Sequence, residues 1–590
     1  MRAQEDEELY FKHYFVPFTA KKAVAFLVII GFIIFFFGLF NNFVGDDNTQ
    51  IVDNPSIQSL SNVPSFFFSN RLDIGGKTRL GGLYYKPMLD TTYTIIYSIS
   101  GATPFLFHFV QLLLFIANSI LLFFILKQFF NLRLSFILSL IFLVHPINAE
   151  SAFYIADVQE VLFFFFGASS FLILLKRESP KAIIFASALL LLSLFSKETG
   201  ILFFAISLIY IFLYKRKIFL PFLGTSIVSF LIYIILRIHA TGLTPKTVIN
   251  APIERLDLAH RLINAPSIFL FYVKTFIFPL NIAGSWQWAY TNITFYNFYL
   301  PLLIDVLILG GIFASVYYLY KKFPKKHLRL FTFFAVWFII GVMFHLQIYP
   351  LDQTAADRWF YFPVVGVLGM IGVAVSTLKL KQNSKWVVII SVVLVSLLSL
   401  RTFVRSFDYR NDFTLATHDA NVSKDSYNAE YIISRVYYSQ NKLQLAKEHA
   451  LKSIALFPYI TNYTNLGAIE SKLGDYAAAK KAYLSALRYG QDSLPYENLA
   501  SLALVYGNRD ENINFIKNVS LRKFPKDGPI WFDLALLDYM QGNNKSANQD
   551  LQKARLYYNS PTVNFIETIF SSNKKIEIEA QNGNVQFVIK

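Results

Sequence analysis

Two adjacent carboxylates, Asp46 and Asp47, follow the first long apolar run of this 590-residue chain, in the segment NNFVGDDNTQIVDNP. The run before them is long enough to cross a hydrocarbon layer of roughly 30 Å, so the pair stands where the chain leaves a membrane. A carboxylate in that place suits general-base work on a hydroxyl whose electrophile is delivered from the lipid phase. Either aspartate could take the proton. Asp46 is the preferred base, with Asp47 as the partner that orients it or binds the acceptor.

Further polar residues interrupt apolar sequence. His145, Glu150 and Asp157 stand in HPINAESAFYIAD, Lys197 and Glu198 in SKETG, and Arg358, Trp359 and Tyr361 in ADRWFYFP. Fixed cations can neutralise a departing phosphate, and the planar fork of an arginine can hold one in two-point contact. Arg358 is the first choice for that role, with Lys197, Lys86 and Arg237 behind it. His145, Glu150, Asp157 and Glu198 suit an acceptor or a sugar, and Trp359 and Tyr361 could stack on a sugar or an isoprenoid. Each residue alone reads equally well as solvated, and Lys197 and Glu198 could neutralise one another. The close ligand spacing of a zinc site is missing, so no metal or other cofactor is required, although a divalent cation is compatible.

The elements that must carry these residues are mostly membrane helices. The chain is 55% hydrophobic and 17% aromatic, with a mean hydropathy of +0.44, outside the habits of soluble proteins. Spans are expected to begin near Ala23, Phe105, Leu134, Val158, Ala182, Ile201, Ile218, Pro301, Leu330, Phe360 and Trp386, about eleven crossings. Lys127 and Arg133, then Lys176 to Lys181, Lys215 to Lys217, Lys321 to Arg329, and Lys379 to Lys385 fall on one side if each run crosses once. The positive-inside rule makes that side cytoplasmic. The net charge of +16 is then a matter of topology, and a nucleic-acid partner is not expected. Parity leaves the segment from Pro266 to Leu280 re-entrant or interfacial and places almost every chemistry-bearing residue outside. The first run lacks a small-residue cleavage pattern and reads as a retained anchor. Absence of cysteine removes disulfides and thiol chemistry. Abundant Phe, Ile, Lys and Asn fit an AT-rich bacterial genome, hence a bacterial cytoplasmic membrane.

The sequence changes character after about residue 410. Tyr463, Leu466, Gly467, Gly474, Ala479, Tyr483 and Ala486 fall at the spacings of a tetratricopeptide unit, and Trp531, Leu534, Ala535, Gly542, Ala547 and Ala554 repeat them. Ala446, Pro458 and Pro525 mark further units at a period of roughly 34 residues. The expected organisation is a membrane domain over 1–410, a solenoid of about four repeats over 411–565, and a tail over 566–590 with a β-hairpin around Asn582-Gly583. The fold class is all-α.

FVGDDNTQIVDNP, YYKPMLD, HPINAESAFYIADV, SKETG, ADRWFYFPVVG and RTFVRSFDYRND, in this order and ahead of the repeats, resemble the transmembrane-and-tetratricopeptide-repeat O-mannosyltransferases of the GT-C glycosyltransferase superfamily. The resemblance implies an inverting transferase that moves a sugar, typically mannose, from a polyprenyl- or dolichyl-phosphate carrier to a protein hydroxyl outside the cytoplasm. It implies that Asp46 and Asp47 are catalytic and that the repeats dock an acceptor protein or a partner. The chain departs from the family at Lys86-Pro87-Met88, where Arg-Pro-Leu is common, at Tyr154 to Asp157, where Gly-Arg-Ala-Asp is common, and at Asp357-Arg358, where Glu-Arg is common. Two other readings compete: a polytopic glycan ligase or polymerase, built on an outer-loop His or Arg, and a non-catalytic repeat scaffold or transporter. A transporter should carry its charges in mid-span, and here they cluster at span ends.

Overall fold

The computed structural model describes residues 18–70, 84–243, 251–377, 385–558, 560–572, 574–581 and 584–589. The protein is a multi-pass membrane protein. All eleven runs expected to cross contain helix. Seven helices, among them Ala20–Phe40, Pro104–Leu126 and Ile389–Asp408, are long and apolar enough to span, and an eighth counts if the bent pair Leu132–Val144 and Pro146–Phe153 is one span. Pro180–Ser196, Glu198–Tyr214 and Pro363–Thr377 are apolar but shorter, so length and composition support fewer crossings than the eleven expected. The backbone at Lys197 is extended, which ends Pro180–Ser196 there. Pro266 lies inside the 20-residue helix Leu258–Ile277, which is not among the span-length apolar helices. Lys379 and Lys381 lie outside the described residues.

Helix starts are legible locally. Thr19, Asn131 and Ser179 accept from backbone N–H groups three residues on, the usual N-cap bond, and Pro104 and Pro180 occupy first turns, where a missing N–H costs nothing. Close helix approach rests on small residues. A Cβ on Gly369 would sit 2.1 Å from the Phe334 ring, and one on Gly167 2.1 Å from that of Phe203.

The described residues form two compact units that divide between Lys424 and Asp425. This division falls 14 residues after the expected boundary at residue 410. Helix Asp412–Val422 belongs with the membrane helices because Asp412 accepts from Gly45 N–H and Asp419 from Gly284 N–H.

The second unit is a stack of helix pairs: Tyr427–Ser439 with Leu443–Leu456, Ile460–Lys472 with Tyr476–Ala486, Leu494–Ala503 with the segment from Arg509, and Gly528–Met540 with Asn544–Tyr557. First helices begin at 427, 460, 494 and 528, the period of a tetratricopeptide solenoid. Ala446, Ala479, Ala486, Ala547 and Ala554 are fully buried where helices meet. Asn441, Gly474, Gly507 and Gly542 take positive φ between the two helices of each pair; the first unit uses asparagine, the side chain that best tolerates this conformation after glycine. Helix Pro561–Ser571 buries Val563, Ile566, Ile569 and Phe570 in the same core, so the solenoid continues past residue 565. Ile576–Gln581 and Asn584–Ile589 then pair as an antiparallel hairpin, a small exception to the all-α class; the Asn582-Gly583 link lies outside the described residues.

Candidate functional site

The chain leaves helix Ala20–Phe35 through a short 3-10 segment and turns at Gly45, whose φ is +54°. A Cβ there would stand 2.9 Å from the Tyr154 hydroxyl, so both conformation and space require glycine. The two aspartates that follow the turn differ in burial. Asp47 is fully buried; Val44 N–H donates to its Oδ2 at 3.0 Å and Ala156 N–H to its Oδ1 at 2.7 Å. Burial pushes its carboxyl well above the usual carboxylate range, and the two backbone donors pull it part of the way back. Asp46 is exposed, and its N–H donates to the Tyr154 hydroxyl at 2.9 Å.

The other wall of this loop comes from the far end of the first unit. Asn41 Nδ2 donates to Ser406 O at 3.0 Å, Asn42 N–H to Arg410 O at 3.1 Å, and Gly45 N–H to Asp412 Oδ1 at 2.6 Å. Within RTFVRSFDYRND, Ser406, Arg410 and Asp412 thus bond the aspartate loop.

Beyond Tyr154 lies a buried ion cluster. Arg358 Nη1 donates to Glu150, Arg358 Nε lies 3.3 Å from Asp157 Oδ1, and the Arg358 N–H donates to Glu150 Oε2 at 3.2 Å. Burial alone would lower the guanidinium's proton affinity, yet the carboxylates of Asp157 and Glu150 outweigh it and hold Arg358 firmly protonated. Asp157 Oδ2 is buried with no hydrogen-bond partner among the described atoms. Beside Arg358, Asp357 accepts from Ala283 N–H at 3.0 Å and Trp286 Nε1 at 3.2 Å, and burial pushes its carboxyl up to about 7. Arg405 donates to Asp408 at 3.0 Å and to Asp419 at 3.3 Å, and lies over the Tyr409 ring.

The structure thus brings Asp46, Asp47, Asp157, Glu150 and Arg358 together through Tyr154 and Ala156. Several other expectations change. Arg358 is committed to two carboxylates and is not a free phosphate fork. Lys197 pairs with Glu160 and not with its neighbour Glu198, which faces Arg237 at 3.9 Å. Arg237 is the more accessible of these cations, with 38% of its side chain exposed. Lys86 lies 5.1 Å from the Tyr84 ring; burial raises the Tyr84 phenol, and Asp352, Asp46, Glu254 and Glu198 add to the shift. His145 has both ring nitrogens engaged, by Phe276 O and Ile147 N–H, and stacks on Phe276; it shapes the 54° bend between Leu132–Val144 and Pro146–Phe153. Tyr361 is fully buried among Phe115, Phe142 and Phe164, and its hydroxyl accepts from Asn118. Trp359 is 6% exposed and stacks on His345. These three side chains are packed in the fold and present no face to a sugar. Arg405, Asp408, Asp412 and Asp419 were given no role from sequence; an arginine in the apolar run that starts near Trp386 was the available signal.

Comparison with known proteins agrees with the motifs. Protein O-mannosyl-transferase TMTC3 of Homo sapiens is 21% identical over 510 residues, 78% of this chain and 54% of the relative. The chain is similar to protein O-mannosyl-transferases. F38B6.6 of Caenorhabditis elegans, also named a protein O-mannosyl-transferase, is 22% identical over 428 residues, 71% of this chain and 60% of the relative. TMTC1 of Homo sapiens is 30% identical over 125 residues, 20% of this chain. The chain spans about half the length of the curated relatives it matches. No protein-family model matches. Among solved structures, ArnT from Cupriavidus metallidurans, described as bound to undecaprenyl phosphate, superposes with a TM-score of 0.38 at 14% identity over 85% of this chain and 92% of ArnT.

Proposed function

We propose that the protein is a glycosyltransferase that moves mannose or another hexose from a polyprenyl- or dolichyl-phosphate carrier to a Ser or Thr hydroxyl of a protein on the extracytoplasmic side. Asp46 is the general base. It takes the proton as the hydroxyl oxygen attacks the anomeric carbon from the face opposite the phosphate; the C–O bond to phosphate breaks and the configuration inverts. Asp47 is locked between two backbone donors and fixes the loop. Arg358 holds Asp157 and Glu150 in place behind the loop. Arg237 and Lys86 lie nearest to a phosphate role, since Lys197 and Arg358 are consumed by buried carboxylates.

The observation that carries this reading is the asymmetry of the pair: Asp46 is exposed on a loop pinned from two sides, while Asp47 is buried with both oxygens engaged. Membranes holding the wild type or Asp46→Asn, incubated with polyprenyl-phosphate sugars, test it by mass spectrometry of hexose on acceptor peptides. The variant should lose transfer at least 100-fold, the scale of a missing general base, with an unchanged unfolding temperature. Wild-type transfer by Asp46→Asn would refute it.

A further inference from the structure

Within the solenoid, a cavity of about 220 Å³ lies between Tyr476–Ala486, the second helix of the second pair, and both helices of the third. Its floor is Leu484, Leu499, Leu502 and Phe515. Leu484 and Tyr506 in its lining are both more than a third exposed, so part of the lining meets solvent. The third pair is irregular at this place: a single π turn, Ile516–Ser520, interrupts its second helix directly after Phe515. Such turns recur where a helix has been reshaped around a site.

An adjoining groove of about 430 Å³ shares Lys480, Leu484 and Tyr506 and adds Lys481, Ser485 and Arg488. Lys481, Ser485 and Arg488 are spaced i, i+4 and i+7, one stripe of a helix. Several solenoid cations are matched. Lys447 and Lys517 reach Glu470 and Asp538 at 2.8 Å, and Lys472 and Lys553 lie over tyrosine and tryptophan rings. Among the described residues, Lys480, Lys481 and Arg488 have neither a carboxylate in salt-bridge reach nor a ring beneath them. Three unmatched cations beside an apolar hole are complementary to an acidic, apolar-tipped chain. Glu511, on the cavity side, sets the direction by keeping acidic groups to the groove.

We infer that this is a docking site for a protein segment that inserts one large apolar side chain into the cavity and lays carboxylates along Lys481 and Arg488. A lipid headgroup would satisfy the cations and leave the cavity unused, so a peptide is the occupant that accounts for both features. The site is independent of the transfer chemistry and stands or falls separately from it.

Full-length protein in detergent, titrated into fluorescein-labelled peptides and followed by anisotropy, tests the inference. One peptide carries a phenylalanine followed by three aspartates; in the others the phenylalanine is alanine, or the aspartates are lysines. The first should bind at least tenfold more tightly than either control, and less tightly as salt rises. The surface variant Lys481→Glu/Arg488→Glu should weaken the acidic peptide at least tenfold and favour the lysine peptide, while the unfolding temperature stays as in the wild type. Equal binding of all three peptides would overturn the inference. So would phosphatidylglycerol vesicles that bind through the same cations when no peptide does.

Discussion

The two units bury charge in opposite ways. In the most buried pairs of the membrane unit both members are inside: the side chains of Arg358 and Glu150 are 11% and 3% exposed, and Lys197 and Glu160 are similarly enclosed. In the solenoid pairs of Lys517 with Asp538 and Lys447 with Glu470 only the carboxylate goes in. Asp538 is 2% exposed, whereas its partner Lys517 keeps 40% of its side chain in solvent, laying its stem on the protein and its charge at the surface. A fully buried pair pays a desolvation cost that its attraction barely returns, so the membrane-unit pairs are weak as stabilisers. Their concentration behind one exposed carboxylate is better explained by the chemistry proposed above.

The sharpest way to break this contrast is to remove one cation from each unit. Arg358→Gln leaves Glu150 and Asp157 buried without a counter-charge, and should cost about 3–5 kcal/mol. Lys517→Gln removes a charge that already lies largely in solvent and should cost about 1 kcal/mol or less. Thermal unfolding of the full-length protein in detergent measures both. Equal losses would mean that the two units bury charge alike.

Next in size is a pH effect in the solenoid. Burial holds the Asp533 carboxyl up to about 7, against the single bond donated by Ser501, whereas in the unfolded chain it ionises near 3.9. Below about pH 4 both states are protonated and this group's contribution is fully present. Between about 4 and 7 the unfolded chain releases a proton that the folded chain keeps, so stability falls as pH rises through that window and levels off above it. Asp533→Asn should remove a slope of at most about 1.4 kcal/mol per pH unit, visible as unfolding curves of wild type and variant that converge towards pH 4. Curves parallel from pH 4 to 7 would show that Asp533 ionises normally.

A third comparison uses glycine. Gly467→Ala drives a methyl to 2.4 Å from the Tyr483 ring and should cost about 1–3 kcal/mol by overpacking. Gly310, on the membrane helix Leu300–Lys322, has nothing within 4 Å of where its Cβ would stand; Gly310→Ala should be neutral or stabilise by up to about 1 kcal/mol through helix propensity.

The same difference governs what the residues disclosed. The solenoid was legible because its contacts are local: Gly467 meets Tyr483 within one repeat, and the turn residues recur at a fixed period. The spans were legible as apolar runs, and Asp46, Glu150, Asp157 and Arg358 as charges at their ends. Pairing was not legible. Lys197 chose Glu160 from another helix over adjacent Glu198, and Arg358 reached Glu150 across 208 residues. Tyr361 looked like a stacking platform because its motif is aromatic, yet three phenylalanines from distant helices enclose it. Ionisable residues announce cost through their type, whereas their partners are set by helix packing that no local pattern encodes.

Asp412 tests that point at the smallest scale. It lies 367 residues from Gly45 and accepts its N–H at 2.6 Å, so it positions the aspartate loop without standing in the loop's own sequence. Asp412→Ala removes one charge-assisted bond of a loop that keeps those of Asn41 and Asn42 to Ser406 and Arg410, and should cost about 1.5–3 kcal/mol or less. If Asp46 is the base, the loosened loop should lower kcat severalfold with little change in KM for the lipid-linked donor, because misplacing a base harms the transition state more than substrate binding. Asp412→Asn keeps an acceptor oxygen and should recover most of the rate. An Asp412→Ala protein with full kcat would show that the two Asn bonds suffice to hold Asp46, and that the segment following the last span braces the fold without tuning the site.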